Sequence, residues 1–185
     1  MLISAMMTSV SIAREKEMGT MEILLVSPLR PIQIILGKVI PYLTLSFLNS
    51  ILIIGVGYFV FGVPVKGSLV LLFFLCLLFI LLALSIGITI STVAKTQQVA
   101  MMISLVGLML PTILLSGFIF PIENMPLPLR WLSVLMPPRW FLSALKDVML
   151  KGVGLFYIWK QIVILITMLF FFIFISVKKF KIRLQ

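Results

Sequence analysis

The sequence predicts an all-α integral membrane protein, and three observations support that prediction. Of the 185 residues, 62% are apolar and only 11% are charged, whereas about 25% of an average soluble domain is charged. The mean hydropathy is +1.30. Long uncharged runs separate the charged residues. A water-facing surface needs charged side chains to cover it, so we expect lipid to supply much of the solvent.

Four uncharged runs are long enough to cross a bilayer. They are residues 39–65, 67–94, 96–122 and 161–177, which contain 27, 28, 27 and 17 residues. A transmembrane helix needs about 20 apolar residues, within a range of about 17–25. Backbone polar groups in lipid must be satisfied within their own segment. We therefore predict four complete transmembrane helices.

The opening stretch, residues 1–13, is also uncharged but is shorter than a span requires. A signal peptide is disfavoured because the stretch has no basic region at its start. We expect residues 1–13 to be the end of a transmembrane helix that begins upstream, in an N-terminally truncated chain.

The net charge of +10 is better explained by a membrane protein than by nucleic-acid binding. Nucleic-acid binding is disfavoured because no basic stripe with interleaved aromatic residues stands outside the apolar runs. Basic residues of membrane proteins collect in cytoplasmic loops. If residues 14–38 are cytoplasmic, nine basic residues lie inside and six lie outside. Four of the last eight residues are basic, which suits an anionic cytoplasmic lipid surface.

Cysteine and histidine chemistry is almost absent from this sequence. Cys76 is the single cysteine and there is no histidine. An internal disulfide and a Cys/His metal site are therefore excluded. We expect no catalytic residue, no metal and no cofactor bound by this chain.

Residues 14–30 are hydrophilic and favour a short helix along the cytoplasmic surface. At 100° per residue, Glu15 and Glu22 share one side of such a helix, and Met18 and Met21 share another. Pro28 would end it. The alternative is a solvated loop that only joins two spans.

Residues 121–154 differ from the rest of the chain because they are rich in proline and tryptophan. Proline at this density excludes one continuous helix, and tryptophan is typical of the membrane–water interface. We predict an extracellular re-entrant helical hairpin that turns near Pro137 and Pro138.

Three motifs in order resemble the type-2 ABC exporter permeases of the multidrug and bile-type branch. The first matches the family pattern E-x-G-T-x-E-x-L-x-x-[ST]-P, with Glu17, Gly19, Thr20, Glu22, Leu24, Ser27 and Pro28. The second, LSGFIFPIENMP at residues 115–126, includes Gly117, Pro121 and Pro126. The third, PPRWF at residues 137–141, is similar to N-P-[LTI]-[RT]-[YW]-[FA], with Pro137 in the usual place of asparagine.

The resemblance implies a transmembrane subunit of an ATP-driven exporter in the plasma membrane, a bacterial inner membrane. Residues 14–30 would be the coupling helix, in which Glu15, Glu17 and Glu22 pair with basic groups on a separate ABC ATPase subunit. ATP and Mg would bind that partner, since this chain has no P-loop pattern. A second permease subunit, identical or different, would complete the core. The resemblance also implies a first span and an extracellular domain ahead of these residues, so we expect the chain to be N-terminally truncated.

Asn49 is the most polar side chain of its run and is a candidate for the substrate pathway or for an interhelical hydrogen bond.

Three functions are alternatives to the exporter permease. A non-functional fragment of such a permease stays open. A membrane-embedded lipid-modifying enzyme is disfavoured because the acidic residues lack the spacing that holds a catalytic metal. A secondary transporter is disfavoured because the four runs contain no ionisable residue for ion coupling.

Overall fold

A computed structural model describes residues 1–19 and 31–182. This part of the chain is helical, as predicted. The helices are α1 (Leu2–Glu17), α2 (Pro31–Phe59), α3 (Leu69–Val93), α4 (Gln97–Leu115), α5 (Leu127–Val134), α6 (Pro137–Lys146) and α7 (Leu155–Ile182).

Within the described ranges, four helices have the length and apolar character of a membrane span, which confirms the predicted number. The spans are Leu36–Phe59, Leu69–Val93, Gln97–Leu115 and Leu155–Lys178. The last one begins six residues before the predicted run at 161, because Lys160 does not interrupt the helix. Its ammonium lies 6.0 Å from the Trp159 ring centroid, and a long basic side chain near a helix end can reach the interface.

Helix α3 is the centre of the bundle. In an apolar 18-residue stretch of α3, 61% of the residues are buried, against 6% in such a stretch of α2 and 17% in those of α4 and α7. It packs against α1, α2, α6 and α7. A helix that is apolar on every side can be surrounded by other helices in this way. Leu75 and Leu82 of α3 form a core with Ile158 and Leu165 of α7, and all four side chains are fully buried.

Helix α1 packs against α3 and α4. A Cβ atom at Gly87 would lie 2.5 Å from the backbone oxygen of Ala5, so only glycine permits this approach of α1 to α3. Helix α1 extends to Glu17, beyond the predicted end at residue 13. Residues 14–17 of the predicted coupling helix therefore belong to the last turns of α1, and residues 20–30 lie outside the described part.

Helix α4 contains a π-helical segment, Leu105–Met109, just before Pro111. Proline donates no backbone hydrogen bond and crowds the preceding turn, and a wider π turn is one way a helix absorbs that local change. The helix ends at Leu115, seven residues before the predicted run ends. Gly117 has a positive φ of 78° and redirects the chain there.

The segment after α4 forms two short helices, α5 and α6, with a break at Leu135 and Met136. A π turn, Asp147–Lys151, follows α6 and ends at Gly152 with φ 68°. Helix α6 packs against α7 and α3. Two helices broken before Pro137 agree with the predicted hairpin outline, and its re-entrant position in the membrane stays a prediction.

Candidate functional site

The end of α1 that we predict to be cytoplasmic carries four consecutive charged residues, from Arg14 to Glu17. We call the last three of them, Glu15, Lys16 and Glu17, the α1 tail. Each contacts a different helix. Glu15 forms an ion pair with Lys38 of α2, and both side chains are largely shielded from solvent. The pair joins the end of α1 to the first turns of α2.

Lys16 joins the α1 tail to α3. Its ammonium donates a hydrogen bond to the backbone oxygen of Ser91, two residues before the end of α3 at Val93. Carbonyl groups in the last turn of a helix lack intrahelical donors. A cation is also favoured there by the helix dipole. Lys16 therefore caps the C-terminal end of α3.

Glu17 joins the α1 tail to α4. Its Oε2 accepts hydrogen bonds from the backbone N–H of Gln97 at 2.9 Å and from the Gln97 side-chain amide at 3.1 Å. The Thr96 hydroxyl accepts from the backbone N–H of Val99 at 3.3 Å. Backbone N–H groups of the first helical turn have no intrahelical acceptor, and a carboxylate is favoured by the dipole at that end. Glu17 and Thr96 together cap the start of α4.

Small residues bring these helix ends close together. Ala13, Ala94 and Ala100 pack against one another and are fully buried. One helical turn before Ala13 in α1, the hydroxyl of Ser9 lies 2.8 Å from that of Ser104. Close packing of small side chains and a hydroxyl pair are typical of helix contacts within membranes. The part of α1 that precedes the α1 tail is therefore tightly packed against α3 and α4.

The predicted coupling residues have different outcomes. Glu15 and Glu17 have partners within the chain, and Gly19 has a positive φ of 70° just beyond the end of α1. The other members lie outside the described residues: Thr20, Glu22, Ser27 and Pro28. Contact of any of these seven residues with an ATPase stays a prediction.

Sequence analysis missed the partners of the α1 tail. In the sequence Lys38 is visible only as the charge before the run at residue 39, and Gln97 is an uncharged residue at the start of the run 96–122. The adjacent opposite charges at Lys16 and Glu17 were a usable signal, because such residues suit opposite ends of helices. Their partners, however, lie 75 and 80 residues away.

A cavity of about 720 Å³ lies between α1, α2, α3 and α6. This volume falls in the range of small-molecule sites, about 300–1,000 Å³. Its walls are mainly apolar, and Phe79 and Phe141 stack there with ring centroids 4.0 Å apart. The lining side chains that carry a hydroxyl or an amide are those of Ser4, Tyr42, Ser46, Asn49, Ser50 and Thr112.

Asn49 therefore faces this cavity, where its side chain is exposed. One turn away on α2, the Ser46 hydroxyl lies 2.7 Å from the Ser4 hydroxyl of α1. Asn49 and these hydroxyls place a small polar patch on an apolar wall, the usual composition of a ligand pocket. A pathway role for Asn49 stays a prediction, and the cavity gives it a geometric basis.

The predicted hairpin residues occupy turns and helix starts. A Cβ atom at Gly117 would lie 2.9 Å from the Ile122 side chain, so the turn is tightly folded. Pro121 precedes the 3₁₀ turn Ile122–Asn124, and Pro126 precedes α5. Pro137 and Pro138 are buried in the first turn of α6, where a missing N–H is tolerated.

Polar contacts hold α6 against α5. The Arg139 guanidinium donates to the Ser133 hydroxyl at 2.6 Å and to the Arg130 backbone oxygen at 3.3 Å. The Trp140 indole donates to the backbone oxygen of Val134 at 2.8 Å. Burial lowers the pKa of Arg139, and the positive charge of Arg130 lowers it further. The two helices therefore form one connected unit.

Comparison with known proteins identifies the family. A family model described as ABC-2 type transporter matches residues 1–150. The chain belongs to the ABC-2 type transporter family. The predicted resemblance is thereby confirmed, and this membership in a transporter family argues against the lipid-modifying enzyme considered above. Together with the four apolar spans, it makes the chain a multi-pass membrane protein rather than an enzyme.

Relatives within the ABC-2 family are bacterial and eukaryotic. The chain is 42% identical over 151 residues to the probable multidrug ABC transporter permease YbhS of Escherichia coli K12. The aligned residues make up 82% of this chain and 40% of that protein. It is 38% identical over 155 residues to the E. coli K12 probable multidrug ABC transporter permease YbhR, and the aligned residues make up 84% of this chain and 42% of YbhR. It is 31% identical over 172 residues to ABC transporter G family member 20 of Dictyostelium discoideum, covering 92% and 23%.

The chain thus spans less than half the length of these curated relatives. No solved structure matches it.

Proposed function

We propose that the chain is the transmembrane subunit, or a part of one, of an ATP-driven ABC exporter. The observation that supports this most is the match of residues 1–150 to the ABC-2 type transporter family. The four spans, with α3 at their centre, supply the membrane-embedded body that such a subunit needs. The relative YhhJ of E. coli is named an inner membrane transport permease, and we propose the same membrane here.

The substrate route, in this proposal, includes the cavity beside Asn49. Its size and its mainly apolar lining suit a lipophilic or amphiphilic molecule with few polar groups. YbhS and YbhR are named probable multidrug permeases, which agrees with a substrate of that kind. No charged side chain is among the lining residues that the described helices contribute.

The energy source is a separate ABC ATPase subunit that binds ATP and Mg. These 185 residues contain no P-loop pattern, which agrees with an ATPase that a partner supplies. The partner docks on the segment between α1 and α2, residues 18–30, where Glu22 matches the coupling motif. A second permease subunit, identical or different, completes the core. ATP binding shifts that core between two arrangements because the partner contacts them differently.

Copurification tests this function. The full-length protein is tagged, extracted in detergent and compared with the Glu22→Lys variant and with Glu123→Lys. Glu123 is exposed at the opposite end of the bundle and serves as the matched charge-reversal control. We expect an ABC ATPase with wild type and with Glu123→Lys, and much less with Glu22→Lys. A stable, inserted wild-type protein that recovers no ATPase would contradict the proposal.

A further inference from the structure

We propose that the α1 tail transmits movement of the docking segment to α2, α3 and α4. In this role Glu15, Lys16 and Glu17 are positioning residues within the chain and do not contact the ATPase. The inference rests on the proposed function, because it requires a partner that moves the docking segment. It reassigns two acidic residues that the coupling motif alone would place at the ATPase surface.

The geometry of a helix explains how three consecutive residues reach three helices. Successive side chains point about 100° apart around the axis. Glu15 pairs with Lys38 on α2, Lys16 caps α3, and Glu17 caps α4. The tail therefore lies among the three other helix ends, and each contact is charge-assisted, which makes it stronger than a neutral hydrogen bond.

Helix α1 and the residues packed beside the α1 tail can transmit a movement of the tail to the neighbouring helices. Helix α1 is continuous from Leu2 to Glu17, so the tail moves with the whole helix. Ala13, Ala94 and Ala100 are fully buried against one another directly below it. Coupling between distant sites is carried by packed side chains and hydrogen-bond networks of this kind. A displaced tail would therefore displace the ends of α3 and α4.

The Glu15–Lys38 ion pair has a further consequence for the docking segment. That segment leaves α1 after Glu17 and enters α2, so the ion pair joins the two helices at its base. A push on the segment then acts on α1 and α2 together, although α2 is otherwise little buried. Helix α2 also carries Asn49 and one wall of the cavity. The ion pair therefore connects the end of α1 to the helix that lines the proposed route.

Exchanging the charges of Glu15 and Lys38 distinguishes a role in transmitting movement from a role in binding the ATPase. Glu15→Lys, Lys38→Glu and the double variant are prepared in the full-length protein with its copurifying ATPase. ATPase recovery and ATP-driven transport of a lipophilic dye into inside-out vesicles are measured. We expect each single variant to retain the ATPase and to lose transport by about fivefold or more, the scale of a coupling free energy between sites. The double variant restores transport, because the ion pair forms again with reversed polarity.

The opposite pattern would overturn the inference. If Glu15 contacts basic groups on the ATPase, both Glu15→Lys and the double variant lose the ATPase, and the exchange does not rescue transport. A wild-type protein without an ATPase contradicts the proposed function and removes the transmission role with it.

A second variant pair tests the α4 contact without depending on ion-pair exchange. Glu17→Gln keeps a side-chain oxygen that can accept from the Gln97 N–H, whereas Glu17→Ala does not. Hydrogen exchange in the first turn of α4 is measured beside transport. We expect faster exchange and lower transport per ATP hydrolysed in Glu17→Ala, with Glu17→Gln close to wild type. Equal loss of ATPase recovery in both variants, with unchanged exchange, would assign Glu17 to docking and refute the inference.

Discussion

The two ends of the bundle are held together by different kinds of contact. At the predicted cytoplasmic end, charged side chains of the α1 tail reach the ends of three other helices. At the opposite end, backbone groups meet directly: the Lys66 N–H donates to the Met149 oxygen at 3.0 Å. A Cβ atom at Gly67 would lie 2.4 Å from the Val148 oxygen. Charged side chains join the helix ends at the first, which we call the charge-dependent end. Close backbone contact joins the elements at the second, which we call the shape-dependent end.

This difference predicts how each end responds to substitution. A side-chain contact can be removed by truncation and restored by exchanging the partners, whereas a close backbone approach tolerates only the smallest residue. An end that works by charge can also change its contacts when a partner protein moves it. The shape-dependent end is suited to remain fixed while the other responds.

The largest effect is expected from Gly67→Ala at the shape-dependent end. The added methyl group would collide with the Val148 backbone oxygen, so the loop and the π turn after α6 must separate. We expect the free energy of unfolding to fall by about 1–3 kcal/mol, the usual cost of overpacking. The measurement is reversible unfolding of the purified protein in detergent.

Gly57→Ala is the matched control for that prediction. Nothing lies within 4 Å of a Cβ atom at Gly57, which is helical, so the added methyl group meets open space. Alanine is also the better helix former by roughly 1 kcal/mol. We expect unchanged or slightly higher stability, and equal losses in the two variants would contradict the close contact at Gly67.

An intermediate effect is expected from Thr96→Ala at the charge-dependent end. The variant removes the hydroxyl that accepts from the Val99 N–H. Loss of such a cap costs about 1 kcal/mol. Hydrogen exchange should rise in the first turn of α4 and nowhere else. Thr44→Ala is the control, because the exposed Thr44 hydroxyl bonds only to backbone oxygens of its own helix. A change as small as that of the control would show that the cap is dispensable.

The smallest effect is expected from Ser9→Ala within the α1–α4 contact. It removes the 2.8 Å hydroxyl pair with Ser104. Such side-chain hydrogen bonds in membranes contribute about 0.6 kcal/mol on average. Unfolding of Ser9→Ala is compared with that of Ser143→Ala, whose side chain is exposed on α6. A loss several times larger would indicate that the pair organises more of the bundle than two side chains.

Hydropathy predicted the spans because it depends on composition within one segment. The long uncharged runs gave four helices, and clustered prolines gave the interrupted segment after α4. Their ends were less well predicted, because charges mark boundaries only when they cannot reach the interface. Lys160 lies within the helix of its span, and Gly117 ends α4 before the charge at Glu123.

The arrangement of the spans was not predictable in the same way. Helices α2 and α3 are both long and apolar, yet one is almost unburied and the other is central. Gly57 and Gly87 are equivalent in the sequence, and only the approach of Ala5 distinguishes Gly87. The contacts of the α1 tail join residues up to 80 positions apart. Such pairings depend on the order in which helices pack, which local patterns do not specify.

The most direct test of the account follows the cavity during the ATP cycle. Asn49→Cys is introduced with Cys76→Ser, which removes the native thiol from the same cavity. The full-length protein, with its ATPase in membrane vesicles, is labelled with a membrane-impermeant maleimide without nucleotide and with ATP plus vanadate. Phe59→Cys is the control, since Phe59 is highly exposed at the end of α2.

The account predicts that labelling at position 49 changes severalfold between the two nucleotide states while labelling at position 59 does not. Labelling at position 49 that is the same in both states, with a bound and active ATPase, would contradict an ATP-driven route through this cavity.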